Sequence, residues 1–180
     1  MGKSQSYKNI LKRDYTDVFT GTSMTEKRTL SDKISLRIAT LFGVGFTPFC
    51  PGTASCVVAV LFFILIKNPI YFIGFTIISL IISFPTSARA EKIFKIKDCK
   101  KIVIDDFSGM LITLIFIPKR IEFIISAFFL FRMLDMLKIP PANKIERIHG
   151  AKGIVGDDLV AGVYANLILQ AVRLLLKIFP

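Results

Sequence analysis

Histidine is almost absent from this chain: among 180 residues, His149 is the single imidazole. One histidine cannot build a His-rich zinc site, and without a G-x-S-x-G elbow it gives no support for a serine–histidine hydrolase. Cysteine is scarce as well. Cys50, Cys56 and Cys99 form no C-x-x-C pair, and an odd count argues against a disulfide framework, so reduced structural thiols are expected. Six positions beyond them stand Cys56, Phe62 and Asp105, where a cysteine phosphatase needs arginine. A D-x-D-x-T nucleophile motif is missing, and His149 lacks the arginines of a phosphohistidine site. Zinc-finger and aromatic RNP patterns are missing too, so nucleic acid is not an expected partner.

Acid is the scarcer charge, with 13 Asp and Glu against 24 Lys and Arg and a formal net charge of +11. Apolar residues are abundant. At 53% hydrophobic composition and a mean hydropathy of +0.61, the chain exceeds what a soluble globule carries, which points to one membrane-embedded domain. The basic excess then favours anionic lipid. Residues 1–38 are polar and basic, with no apolar h-region following at once, so a cytoplasmic arm drawn to lipid headgroups is expected rather than a cleavable signal peptide. Residues 39–180 form the expected helical domain.

Within that domain, apolar runs cover Ala54–Ile66, Ile70–Phe84, Ile102–Ile117, Ile121–Leu137 and Leu159–Phe179, separated by Lys67-Asn68-Pro69, Pro85 and Pro118-Lys119-Arg120. The expectation is an all-α bundle of four or five membrane-associated helices, of which only the last run approaches the roughly 20 residues of a full span. The basic stretches Arg89–Lys101 and Lys138–Lys152 are placed on the cytoplasmic side with the arm.

Chemistry gathers at the ends of these runs. Asp105, Asp106, Asp135, Asp157 and Asp158 all stand beside or inside apolar segments. A buried carboxylate costs several kcal/mol unless it is paired or bound to a metal, and oxygen-rich clusters suit Mg2+. Gly43–Thr53 is a glycine and proline loop whose Thr53 offers a hydroxyl for phosphate or, alternatively, a helix cap. Arg132, Asp135 and Lys138 recur at spacings of three, on one helix face, as either a structural ion pair or a phosphate clamp beside a metal. Gly150–Gly162 is a glycine-rich stretch expected as a loop that feeds Asp157 and Asp158 into the last helix.

In order and spacing these four segments resemble the phosphatidylglycerophosphatase A family. Its G-x-G-x-x-P-x-x-P-G-T loop matches Gly43–Thr53, its I-V-x-D-E-x-x-G-M matches Ile102–Met110, its F-R-x-x-D-x-x-K-P matches Phe131–Ile139, and its G-x-G-I-x-x-D-D-x-x-A-G matches Ala151–Gly162. The chain departs from the family pattern at Asp106, at Ile139, at Ala151 and, where the family has Asp-Arg ahead of the last motif, at Glu146.

The resemblance implies Mg2+-dependent hydrolysis of phosphatidylglycerophosphate to phosphatidylglycerol and phosphate, in phospholipid biosynthesis, at the cytoplasmic face of a bacterial inner membrane. Asp105, Asp106, Asp157 and Asp158 are then expected as metal ligands. Asp105, Asp106, Asp135 and Asp158 are expected in catalysis, and Thr53, Arg132 and Lys138 in holding the phosphate. The competing readings are a non-catalytic membrane scaffold, which leaves the acid clusters without purpose, and a small transporter, which ordinarily needs repeats or a larger bundle. The oligomeric state is left open by the sequence.

Overall fold

A computed structural model of the chain describes residues 29–48, 50–94, 99–137 and 151–178. Their regular structure is all helical, with no strand among them. The helices are α1 (Leu30–Ala39), α2 (Pro51–Leu65), α3 (Pro69–Phe94), α4 (Ile104–Thr113), α5 (Ile121–Leu137) and α6 (Ala151–Ile178), with a 3-10 segment at Leu41–Phe46 after α1. The boundary expected at residue 38 falls inside α1, which packs on α3.

Local chemistry explains where the helices start and stop. Pro51 opens α2 at its first turn, where a missing N–H costs nothing. At the far end of α2 the Lys119 ammonium donates to the Ile66 carbonyl at 2.6 Å and lies over the Phe63 ring. Asn68 then starts α3: its side-chain oxygen accepts from the Ile70 N–H at 2.9 Å and its carbonyl from Phe72.

The sequence reading stops the second apolar helix before Pro85, but α3 continues through the proline to Phe94. A proline inside a helix removes one backbone bond and crowds the preceding turn. The bond removed is the one to the Ile81 carbonyl, and nearby hydroxyls bond to the carbonyls beside it. Thr86 donates to the Ile82 carbonyl at 2.7 Å, and Ser83 to Leu80 at 2.8 Å.

At the centre lies α4, packed against α2, α3, α5 and α6. Nine of its ten residues are buried, including Asp105, Ser108 and Thr113. This corrects the expectation for Ile102–Ile117: the run is apolar because protein surrounds it, and only ten of its residues form the helix. Among the described residues two helices, Pro69–Phe94 and Val155–Leu176, are long and apolar enough to cross a membrane, not four or five. Apolar α2 has 15 residues and α5 has 17, both short of a span. Both long helices turn large apolar side chains outward, Ile77, Ile78 and Ile81 on α3 and Leu167, Leu174 and Leu175 on α6. An apolar surface of that extent fits contact with lipid.

The chain direction alternates. α2, α4 and α6 run away from the end of the bundle that carries Gly52, Asp106 and Asp158, while α3 and α5 return to it. That end holds the candidate site.

Candidate active site

Two close backbone approaches build the site. Where α4 crosses α6, a Cβ on Gly109 would stand 2.8 Å from both the Asp158 carbonyl oxygen and the Phe131 ring, and one on Gly162 would strike the Gly109 carbonyl. No larger residue fits either position. Further along, the Thr113 hydroxyl bridges the Gly109 and Gly162 carbonyls at 3.0 and 3.4 Å. The Asn166 amide then donates to the carbonyls of Thr113 at 2.9 Å and Ile115 at 2.7 Å. Contacts thus advance along both chains together, so α4 and α6 are parallel. Asp105 and Asp158 each lie four residues before a crossing glycine, and the parallel register brings them level.

The carboxylates of Asp105, Asp106 and Asp158 each offer an oxygen within 4.8 Å of the others. Asp105 and Asp158 are buried, while Asp106 is partly exposed. The second close approach sets Asp106: a Cβ on Gly52, in the first turn of α2, would lie 2.8 Å from its carboxyl carbon. Within each acid pair the local geometry repeats. Asp105 Oδ1 accepts from the Asp106 N–H at 3.1 Å, and Asp157 Oδ1 from the Asp158 N–H at 3.1 Å. Burial, and then the neighbouring Asp106 charge, push the Asp105 carboxyl well above the usual carboxylate range. Acids this close favour full ionisation only with a cation among them.

Arg132 on α5 supplies one such charge. Its Nη1 pairs with Asp106 Oδ1 across the helix interface and with Asp135 Oδ2 at 2.9 Å one turn along its own helix. The spacing of three read from the sequence is therefore a real contact.

Cys50, Pro51, Lys100, Asp135 and Asp157 join these groups around a cavity of about 300 Å3. The first turns of α2 and α4 both point toward it, which favours an anion. All three cysteines are free. Burial, followed by the charge of Asp106, pushes the Cys56 thiol far up, so it is inert as a nucleophile.

Most of the sequence-derived residues thus converge: Asp105, Asp106, Arg132, Asp135, Asp157 and Asp158 share one cavity. Thr53 does not line it. It lies in the first turn of α2, whose cap is Cys50 in a left-handed conformation, so the alternative of a threonine cap is also set aside. Asp157 lies inside a helix, because α6 begins at Ala151 and the expected loop is helix. Lys138 lies outside the described residues.

Sequence reasoning missed Lys100, which it counted only as a topological charge, and the glycines that seat the acids. The signal for Lys100 was its position five residues before Asp105.

Residues 37–173 match the phosphatidylglycerophosphatase A family. The chain belongs to that family. It is thereby placed in a class of phosphatases, as the motifs had implied.

A phosphatidylglycerophosphatase A from Escherichia coli is 34% identical over 140 residues, covering 73% of this chain and 79% of its own. One from Haemophilus influenzae is 32% identical over 161 residues, covering 83% of this chain and 98% of its own. A Bacteroides thetaiotaomicron protein provisionally named a phosphatidylinositol-3-phosphatase is 32% identical over 146 residues, covering 76% and 91%. No solved structure matches this phosphatidylglycerophosphatase A family member.

Proposed function

We propose that this chain hydrolyses phosphatidylglycerophosphate to phosphatidylglycerol and inorganic phosphate, with Mg2+ as cofactor, at the cytoplasmic face of a bacterial inner membrane. The observation that carries the reading is the gathering of three carboxylates from α4 and α6 beside Arg132, in one cavity of a family member.

The donor set fits a hard divalent cation. Its oxygens are all carboxylate, within 4.8 Å of one another, and the raised Asp105 pKa marks a cluster in need of positive charge. Asp105, Asp106 and Asp158 would hold the ion, with Asp157 in the wall beside them. When bound, Mg2+ would neutralise phosphate charge and acidify water.

The remaining steps belong to the protein. Arg132 has five N–H donors in a planar fork, more than its two carboxylate contacts consume, and it orients the phosphate. Lys138 is assigned to the same phosphate, and Thr53, outside the cavity wall, to the first turn of α2 that presents Gly52 to the site. Asp135 fixes Arg132 in place and is assigned, with the acid cluster, to taking the proton of the attacking water. The water oxygen forms the new bond to phosphorus, the bond to the glycerol oxygen breaks, and that oxygen leaves as an alcohol after gaining a proton.

The test is phosphate release from phosphatidylglycerophosphate in detergent micelles, with and without Mg2+, for the wild type and an Asp105→Asn/Asp158→Asn variant. Release should require Mg2+ and fall about 10²–10³-fold in the variant, the scale of losing a key electrostatic contact. Wild type of native helicity that releases no phosphate would sink the reading. One observation favours a second substrate: the provisional phosphatidylinositol-3-phosphatase matches over 91% of its own length. Phosphatidylinositol 3-phosphate therefore belongs in the same assay, and faster release from it would reassign the headgroup while keeping the chemistry.

A further inference from the structure

Between α5 and α6 lies a second cavity of about 450 Å3, lined almost entirely by apolar side chains, among them Phe129, Leu130, Met133, Leu169 and Val172. It opens on the α5-facing side of α6, about a quarter turn round from the tight α4 crossing. Its walls extend along α5 from Glu122 to Met133, a separation of eleven positions or about 16 Å at 1.5 Å per residue. That is roughly half the 30 Å of a bilayer's hydrocarbon core, the depth of one leaflet.

The groove and the acid site meet on consecutive residues of α5: Arg132 lines the polar cavity and Met133 the apolar one. From there the groove leads away from the site end, toward the start of α5.

Resting on the lipid phosphatase reading, we propose that this groove seats one acyl chain of the phospholipid substrate, so that its phosphate is held at Arg132 and the acids. A diacyl lipid has this layout, with a charged head at the interface and a chain running inward along the helices. The groove's polarity, length and junction with the site match it part by part. The proposal gives α5 two jobs, gripping the head through Arg132 and the tail through Phe129, Leu130 and Met133. Burying a chain there removes apolar area from the bilayer only to place it on protein, so its value is orientation of the phosphate more than affinity.

Ser126 is a small, exposed residue in the groove wall, and Val172 faces the groove from α6. Neither touches the acid cavity. Ser126→Phe and Val172→Phe would fill the groove from its two sides.

The experiment compares kcat/KM for dioleoyl and dihexanoyl phosphatidylglycerophosphate in mixed micelles. Each filling variant should lose at least tenfold on the dioleoyl substrate and stay within twofold on the dihexanoyl one, which also reports an intact fold. Variants indifferent to chain length overturn the proposal. As a second arm, a photoreactive diazirine-acyl analogue of the substrate should label α5 and α6 peptides of the wild type and be displaced by unlabelled substrate. Labelling that substrate does not displace means ordinary bilayer lipid or a second copy of the chain fills the groove, which also overturns it. Wild type inactive on both chain lengths would sink the substrate reading and this one together, whereas active wild type with indifferent variants sinks this one alone.

Discussion

α6 meets its two neighbours in opposite ways. Against α4 it closes to backbone contact through Gly109 and Gly162, with Thr113 and Asn166 stitching the carbonyls beyond. Against α5 it leaves a furrow of about 450 Å3 walled by large apolar side chains. The tight side carries the carboxylates, and it must be tight because Asp105 and Asp158 meet only if the helix axes approach closely in one register. The open side carries no ionised pair with α6 among the described contacts, and slack there costs the acid cluster nothing. Rigidity is therefore placed where charges are assembled and relaxed where a flexible chain could lie.

The comparison breaks most severely if bulk is added to the tight side. Gly162→Val would push α6 away from the Gly109 carbonyl, separating Asp158 from Asp105 and Asp106. We expect about a 10²-fold loss in phosphate release, because displacement of catalytic groups by about an ångström has that effect. A destabilisation of about 1–3 kcal/mol should accompany it, as in other overpacked interiors. Activity assays and thermal melts in detergent measure both. Full activity in this variant would show that the crossing does not position the acids.

A gentler change tests what bridges the two sides. Arg132→Lys keeps the charge that faces Asp106 and Asp135 but replaces a planar fork with a point charge. Release should fall about tenfold, equivalent to roughly 1.4 kcal/mol, with helicity unchanged. A lysine variant as active as wild type would reduce Arg132 to charge balance.

How much of this was legible beforehand follows from the range of each signal. The acids of the site were visible because ionisable residues inside apolar runs have few explanations, and the Arg132–Asp135 contact was visible because it is three residues long. The helix through Pro85 was not, since a proline reads locally as a stop while the packing of α3 against α1, α4 and α6 is not local. Nor was α4 as a buried ten-residue helix: composition cannot distinguish an apolar run facing lipid from one surrounded by protein. Gly109 and Gly162 stood in recognised motifs, yet their pairing links segments more than fifty residues apart and has no local trace. The α5–α6 groove is likewise a property of two faces together.

The smallest expected effect lies at the far end of the tight side. The Asn166 amide is bonded to Ile112, Thr113 and Ile115 carbonyls, where α4 ends and its last acceptors lose their helical partners. Asn166→Leu keeps the branched outline and removes those donors, leaving acceptors in a half-buried position. The expected cost is about 1–3 kcal/mol of stability, read from denaturation in detergent. Phosphate release at a permissive temperature should remain within a few-fold of wild type. The acids lie two helical turns away, held by Gly109 and Gly162, so loosening the end of α4 need not move its start. A loss of release as large as that of Gly162→Val would mean that α4 responds as one rigid unit and that the site is set along its whole length.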